Sequence, residues 1–219
     1  SNIELIASEA GPLNFVLADL GVSSMQIDNP ERGFSYKVEG PLDLRLNPKS
    51  GKSAADLLKA ISQSELEMIL AENSDEPYYQ PIAKAIKINI SKGIAIETTT
   101  QLQKIITDAL VFIPQHQRKD EVKKSCQRVF QALRIEVNDE FGALEKFLEK
   151  LPDVLASGGR VAILSFHSGE DRRVKKSFQR LFREGVYSEV APDPIRPSEQ
   201  ECFTNPRARS AKLRWAIKA

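Results

Sequence analysis

Two short apolar runs, at residues 15–18 and 161–164, each stop at a polar residue and a turn. Asp19 and then Gly21 end the first; Ser165 and then His167 end the second. A run of this length fits a fully buried strand, and it also fits a segment of buried helix. The acid and glycine after the first run favour a strand of an open parallel sheet. Such sheets bind ligands just beyond the carboxyl ends of their strands. Most of the chain lies between the two runs.

That segment reads in three parts. Residues 23–51 are loop-like, punctuated by Asn29-Pro30, Arg32-Gly33, Gly40-Pro41, Asn47-Pro48 and Ser50-Gly51. A loop this long inside a compact domain tends to be functional. Helical periodicity starts at Ser53, a capping residue before Ala54, Leu57, Leu58 and Ile61, and it resumes after Ser62, Pro81 and Thr98. Residues 53–113 are therefore expected to form a small helical domain. Residues 115–128 are polar and charged and read as a hinge or mobile loop. Residues 129–156 carry the longest helical pattern, which Pro152 could kink. After the second apolar run, a helix is expected from about residue 170 to 182, with Ser168 and Asp171 as its capping box. Residues 185–190 and 213–217 read as two late strands.

Composition removes several classes of function. Two cysteines, Cys126 and Cys202, exclude a disulfide framework and suit a reducing compartment. No run of about 18 apolar residues exists, so no membrane span is expected. The first residues show neither a basic nor an apolar leader segment, so no signal peptide is expected. With 31 basic and 30 acidic residues the chain is no simple polycation, although residues 203–219 hold three Arg, two Lys and no acid. Gly51-Lys52-Ser53 resembles the end of a phosphate loop, but the pattern needs glycine at the position of Leu46. His116, Cys126, His167 and Cys202 have no paired spacing for zinc, so no metal site is expected. Asp19 reads either as a turn or capping acid or as a carboxylate beside a ligand. His167 reads either as a structural histidine or as a group facing the same ligand.

Seven blocks taken in order resemble one family. They are Asp19-Leu-Gly-Val-Ser-Ser-Met-Gln26-Ile-Asp28; Arg32-Gly-Phe-Ser35; Gly40-Pro-Leu-Asp43-Leu-Arg45; Thr98-Thr-Thr-Gln-Leu102; Phe130-Gln-Ala-Leu-Arg134-Ile135 with Asn138; Ser165-Phe-His167-Ser168 with Glu170-Asp-Arg172; and Asn205-Pro-Arg207-Ala-Arg209-Ser-Ala-Lys-Leu-Arg214. From about residue 13 onward the chain resembles the MraW (RsmH) family of S-adenosyl-L-methionine-dependent methyltransferases. That family methylates the exocyclic amine of a cytosine in small-subunit ribosomal RNA. The resemblance implies a Rossmann-like class I α/β sheet, partial here, interrupted by an inserted all-helical domain. Residues 1–27 and 129–219 are expected to form the methyltransferase domain, and residues 28–128 a loop plus helical insert that recognises RNA. It further implies cofactor contacts from Asp19 and Gln26, and a bacterial, cytoplasmic enzyme. Lys124-Ser-Cys-Gln-Arg128, the glycine at Gly169 and Leu44 with Leu46 depart from the usual blocks and suggest a divergent branch. The family's glycine-rich cofactor loop lies upstream of the Asp19 block, so these residues alone are expected to be inactive.

Methyl transfer to an amine is an in-line displacement and needs nucleophile and methyl held in a near-attack geometry. Acceptors on the amine N–H groups would localise its lone pair and take the proton. Asp43, His167 and Ser165 are the candidates for that work. Arg45, Arg134, Arg207, Arg209 and Arg214 are candidates for gripping RNA phosphates. Asp19, Gln26, Asp43 and His167 are expected to border one cleft. Two alternatives compete with this reading: an RNA-binding remnant without cofactor, and a methyltransferase of the same fold acting on another nucleic acid or small amine.

Overall fold

The computed structural model describes residues 3–219. The chain divides into two compact units, Val22–Glu140 and the flanking segments up to Gly21 and from Phe141.

The flanking unit is α/β. Helix α1 (Ile3–Ala10) leads into strand β1 (Leu13–Asp19). The chain returns through α8 (Glu140–Val154), β2 (Leu155–Ser165), α9 (Ser168–Arg183) and β3 (Tyr187–Val190). It ends with α10 (Glu199–Thr204), a short 3-10 turn at Pro206–Ser210, and β4 (Lys212–Lys218). The sheet order is β1-β2-β4-β3. β1 and β2 are parallel neighbours, as expected for the two apolar runs, and Asp19 pairs with Leu164 at their ends. β4 runs antiparallel to both β2 and β3, so β1, β2 and β3 share one direction and β4 is wedged between two of them.

This unit's core follows from the apolar periods. Val161 and Ile163 of β2 meet Leu144, Leu148 and Leu151 of α8 and Val174, Phe178 and Leu181 of α9. Burying each such side chain stabilises the unit by about 1.5–3 kcal/mol. β2 starts earlier than the apolar run because residues 156–159 bulge out between the Leu13–Leu155 and Phe15–Arg160 pairs. β1 is an edge strand on its other side, with Phe15 and Leu17 exposed.

The second unit is helical: α2 (Ser24–Asp28), α3 (Ala54–Ala60), α4 (Gln63–Ser74), α5 (Tyr79–Ser91), α6 (Thr99–Ala109) and α7 (Gln115–Asn138). Ser53, Ser62 and Thr98 each make a capping box, with Asp56, Glu65 and Gln101 reaching back. Leu58, Leu66, Leu70, Ile82, Ile86, Leu102, Ile106 and Leu133 are fully buried in one cluster.

Two expectations are corrected. Residues 115–128 are not a hinge but the first half of α7. Its charged residues face water while Ser125, Cys126, Val129 and Phe130 bury themselves at helical spacing. The long pattern from 129 is not one helix either. Asp139 adopts a left-handed backbone (φ 48°) and separates α7 from α8.

Candidate active site

In the helical unit the long loop is fastened on three sides. Thr99 donates from its backbone to the Gly40 carbonyl (3.0 Å) and from Oγ1 to the Val38 carbonyl (2.7 Å), so the threonine block pins the Gly40-Pro-Leu-Asp block. The Leu42 and Asp43 carbonyls accept from Ala55 and Ala54 at the start of α3. From the end of α7, Asn138 Nδ2 donates to the Leu44 carbonyl (2.8 Å), and Asn138 Oδ1 accepts from Leu46 N (2.7 Å). Leu42 and Leu44 are buried, and Leu44 is held at φ 63°. A non-glycine residue in that region persists only where its surroundings over-determine it. Gly33 lets the loop fold on itself, since a Cβ there would lie 2.1 Å from the Pro41 carbonyl oxygen.

The loop presents Asp43 and Arg45 as a two-pronged ion pair: Nε to Oδ1 at 2.7 Å and Nη2 to Oδ2 at 2.8 Å. The Arg45 hydrogen bonds hold the Asp43 carboxyl below its ordinary range, burial opposing them. Asp43 is therefore a fixed, ionised acceptor. Gln26 lies on α2, where its Oε1 accepts from Ser23 N (2.9 Å) in a capping box, leaving its amide NH2 for another partner.

In the α/β unit, Asp19 stands exposed at the carboxyl end of β1 with no partner among the described residues. Beside it β2 ends at Ser165, whose Oγ donates to the Lys212 carbonyl (3.3 Å). Phe166 N donates to Glu170 Oε2 (2.9 Å). His167, rather than Ser168, is the cap of α9: its Nδ1 accepts from Glu170 N at 3.4 Å. Any ring proton of neutral His167 therefore sits on Nε2. That nitrogen is buried 3.2 Å from Glu170 Oε1, at an angle that makes no hydrogen bond. Gly169 has no room for a side chain, because a Cβ would lie 2.6 Å from the Phe141 ring.

The turn is braced from below. Arg214 Nε donates to Asp171 Oδ1 at 2.6 Å and Lys212 Nζ to Oδ2 at 3.3 Å. Burial pushes the Asp171 carboxyl up, and the two cations outweigh it and hold it below its ordinary value.

The five arginines expected to contact RNA fall into two groups. Arg45 is bound to Asp43, Arg134 pairs with Glu140 (2.7 and 2.9 Å), and Arg214 is buried on Asp171. Arg207 and Arg209 are exposed on the 3-10 turn. The sequence assigned no role to Asn138, Glu170 or Lys212, and only a capping role to Asp171, although each lies within a quoted block. Their pairings join residues more than forty positions apart, or depend on side-chain angles, and no local pattern encodes either.

A parallel pair open at its carboxyl ends, a crossover helix, a wedged antiparallel strand and a helical unit between the first two strands define the class: a Rossmann-like methyltransferase fold, of which four strands are present. The chain belongs to the MraW methylase family, whose model matches residues 2–219. It is 75% identical over 219 residues to ribosomal RNA small subunit methyltransferase H 2 of Alkaliphilus metalliredigens, covering all of this chain and 63% of that protein. It is 64% identical over 219 residues to methyltransferase H 1 of Lachnoclostridium phytofermentans, again over the whole chain and 60% of the relative. A third, methyltransferase H 1 of Agathobacter rectalis, is 60% identical over 217 residues, covering 99% of this chain and 62% of its own. The chain thus spans about three fifths of the length of these relatives. Among the described residues, no helix is long and apolar enough to cross a membrane.

Proposed function

We propose that this chain serves an S-adenosyl-L-methionine-dependent methyltransferase acting on the exocyclic amine of a cytosine in small-subunit ribosomal RNA. The observation that carries the reading is the exposed Asp19, without a partner among the described residues, at the carboxyl end of β1 next to the braced Ser165–His167 turn. When bound, the cofactor supplies an electrophilic methyl on a sulfonium. Asp19 suits its cationic amino group.

Asp43 is the proposed acceptor for the target amine. Because Arg45 keeps it ionised, it orients an N–H group and polarises the amine, and it is a weak base. His167 is not positioned as a base, because the helix cap occupies its Nδ1 and its Nε2 is buried. Ser165 acts through its backbone, since its hydroxyl is engaged. Arg207 and Arg209 are the proposed phosphate contacts, while Arg45, Arg134 and Arg214 hold local structure. A target base must leave its stack to reach such groups.

The test grafts these 219 residues into the Alkaliphilus relative in place of the matching segment. Transfer of labelled methyl to small-subunit RNA, mapped to a cytosine amine, is the expected outcome. Methyl transfer to a small amine or another nucleic acid instead would replace the substrate assigned here.

A further inference from the structure

Between β3 and β4 the chain leaves the sheet and returns to it. Both ends of this excursion are fixed: Ala191 N donates to the Trp215 carbonyl, and Ile195 and Leu213 exchange two hydrogen bonds, all at 2.9 Å. Its far end is fixed as well. Ser198 caps α10, Asn205 caps the following 3-10 turn through Arg207 N (3.3 Å), and Ala208 and Ala211 are buried beneath it. At the junction of these two capped elements, Phe203 stands 81% exposed. Four and six residues on, Arg207 and Arg209 are exposed on the 3-10 turn, and Arg209 has no partner among the described residues.

An isolated exposed apolar side chain needs no explanation. A large flat ring in the last turn of a capped helix, four and six residues before two exposed arginines on a sheet-anchored excursion, is a different arrangement. Single-stranded RNA offers unstacked base faces and phosphates a few ångströms apart, and is recognised by aromatic rings next to guanidinium groups. A duplex hides its base faces. We propose that Phe203 is a stacking platform for an unpaired base of the RNA substrate, with Arg209 and Arg207 holding adjacent phosphates. The inference rests on the RNA reading above and adds the strandedness of the bound segment and the residue that reads it.

The test measures binding of the 219-residue chain to a single-stranded oligonucleotide from small-subunit RNA and to a duplex of the same sequence. Phe203→Ala should weaken single-strand binding about five- to hundredfold, the range set by one lost base stack, and leave duplex binding unchanged. Phe203→Trp should restore binding and show fluorescence quenched by the RNA. Arg209→Ala should lower the salt slope by about 0.7, whereas Phe203→Ala should leave the slope alone. Thermal midpoints of the Phe203 variants should match the parent, since the ring is outside the core. Equal loss on duplex, no loss on single strand, or no rescue by tryptophan overturns the platform. Absence of RNA binding by the parent chain also overturns it. The methyltransferase reading is judged separately, by methyl transfer in the graft.

Discussion

Asp171 shows how much one carboxylate can organise. It takes Arg214 and Lys212 from β4 and lies at the first turn of α9, just past the Ser165–His167 turn. Arg214 is only 5% exposed, so Asp171→Asn would leave a buried guanidinium without its counter-charge. A loss of about 3–5 kcal/mol is expected for breaking such a pair, measured by denaturant unfolding. The sign with pH follows from the lowered carboxyl. The stabilisation is present above the ordinary aspartate value and fades as pH falls through the lower folded value. Asp171→Asn should lack that acid-side loss. An unchanged unfolding midpoint in Asp171→Asn would show the triad to be an ornament of the surface.

At the scale of elements, α9 tests whether His167 is structural or chemical. His167→Asn keeps a capping side chain and His167→Ala removes it, so only the alanine variant should lose stability, by about 1 kcal/mol. In the graft, a loss of methyl transfer in the stable asparagine variant would assign the imidazole a part in the reaction; retained transfer would leave His167 as a cap. The helical unit holds a second buried acid. Glu76 is 1% exposed; its Oε1 accepts from Ser125 Oγ and Tyr78 N, and its Oε2 has no partner. Burial pushes its carboxyl up, against those hydrogen bonds and the Arg128 charge, with Glu121 adding to the rise. A raised carboxyl favours the folded state at low pH and loses that contribution as pH rises through the folded value. Glu76→Gln should therefore gain stability over the parent at neutral pH and little at acid pH. A variant equally stable or less stable at neutral pH would contradict this.

The same elements show what the sequence could reveal. Both strands of the parallel pair, the serine and threonine caps of α3, α4 and α6, and the two late strands were legible because apolar period and capping chemistry are local. The first half of α7 was not, since its apolar stripe is diluted by Lys and Glu on the wet face and starts only at Val122 and Cys126. Nor was the histidine cap, because Ser168 followed three residues later by Asp171 offers a more familiar pattern. Of the proposed site, residue identities were readable in the motif blocks. The commitments of Arg45, Arg134 and Arg214 to carboxylates were not, because charge in a sequence does not show its partner.

At the scale of the whole molecule, the proposed function puts cofactor binding at the carboxyl end of β1 and amine recognition on the loop that Thr99, α3 and Asn138 hold in place. Asn138→Ala should loosen that loop, raising protease cleavage near Leu44 while leaving the sheet's unfolding unchanged. Calorimetric titration of S-adenosyl-L-methionine into the graft carrying Asp19 or Asp19→Asn tests whether this acid holds the cofactor. Losing one charge-assisted hydrogen bond should weaken cofactor binding about ten- to hundredfold, with RNA affinity unchanged. Equal cofactor affinity in the two proteins would contradict the account, since the exposed acid at the end of β1 would then face no ligand.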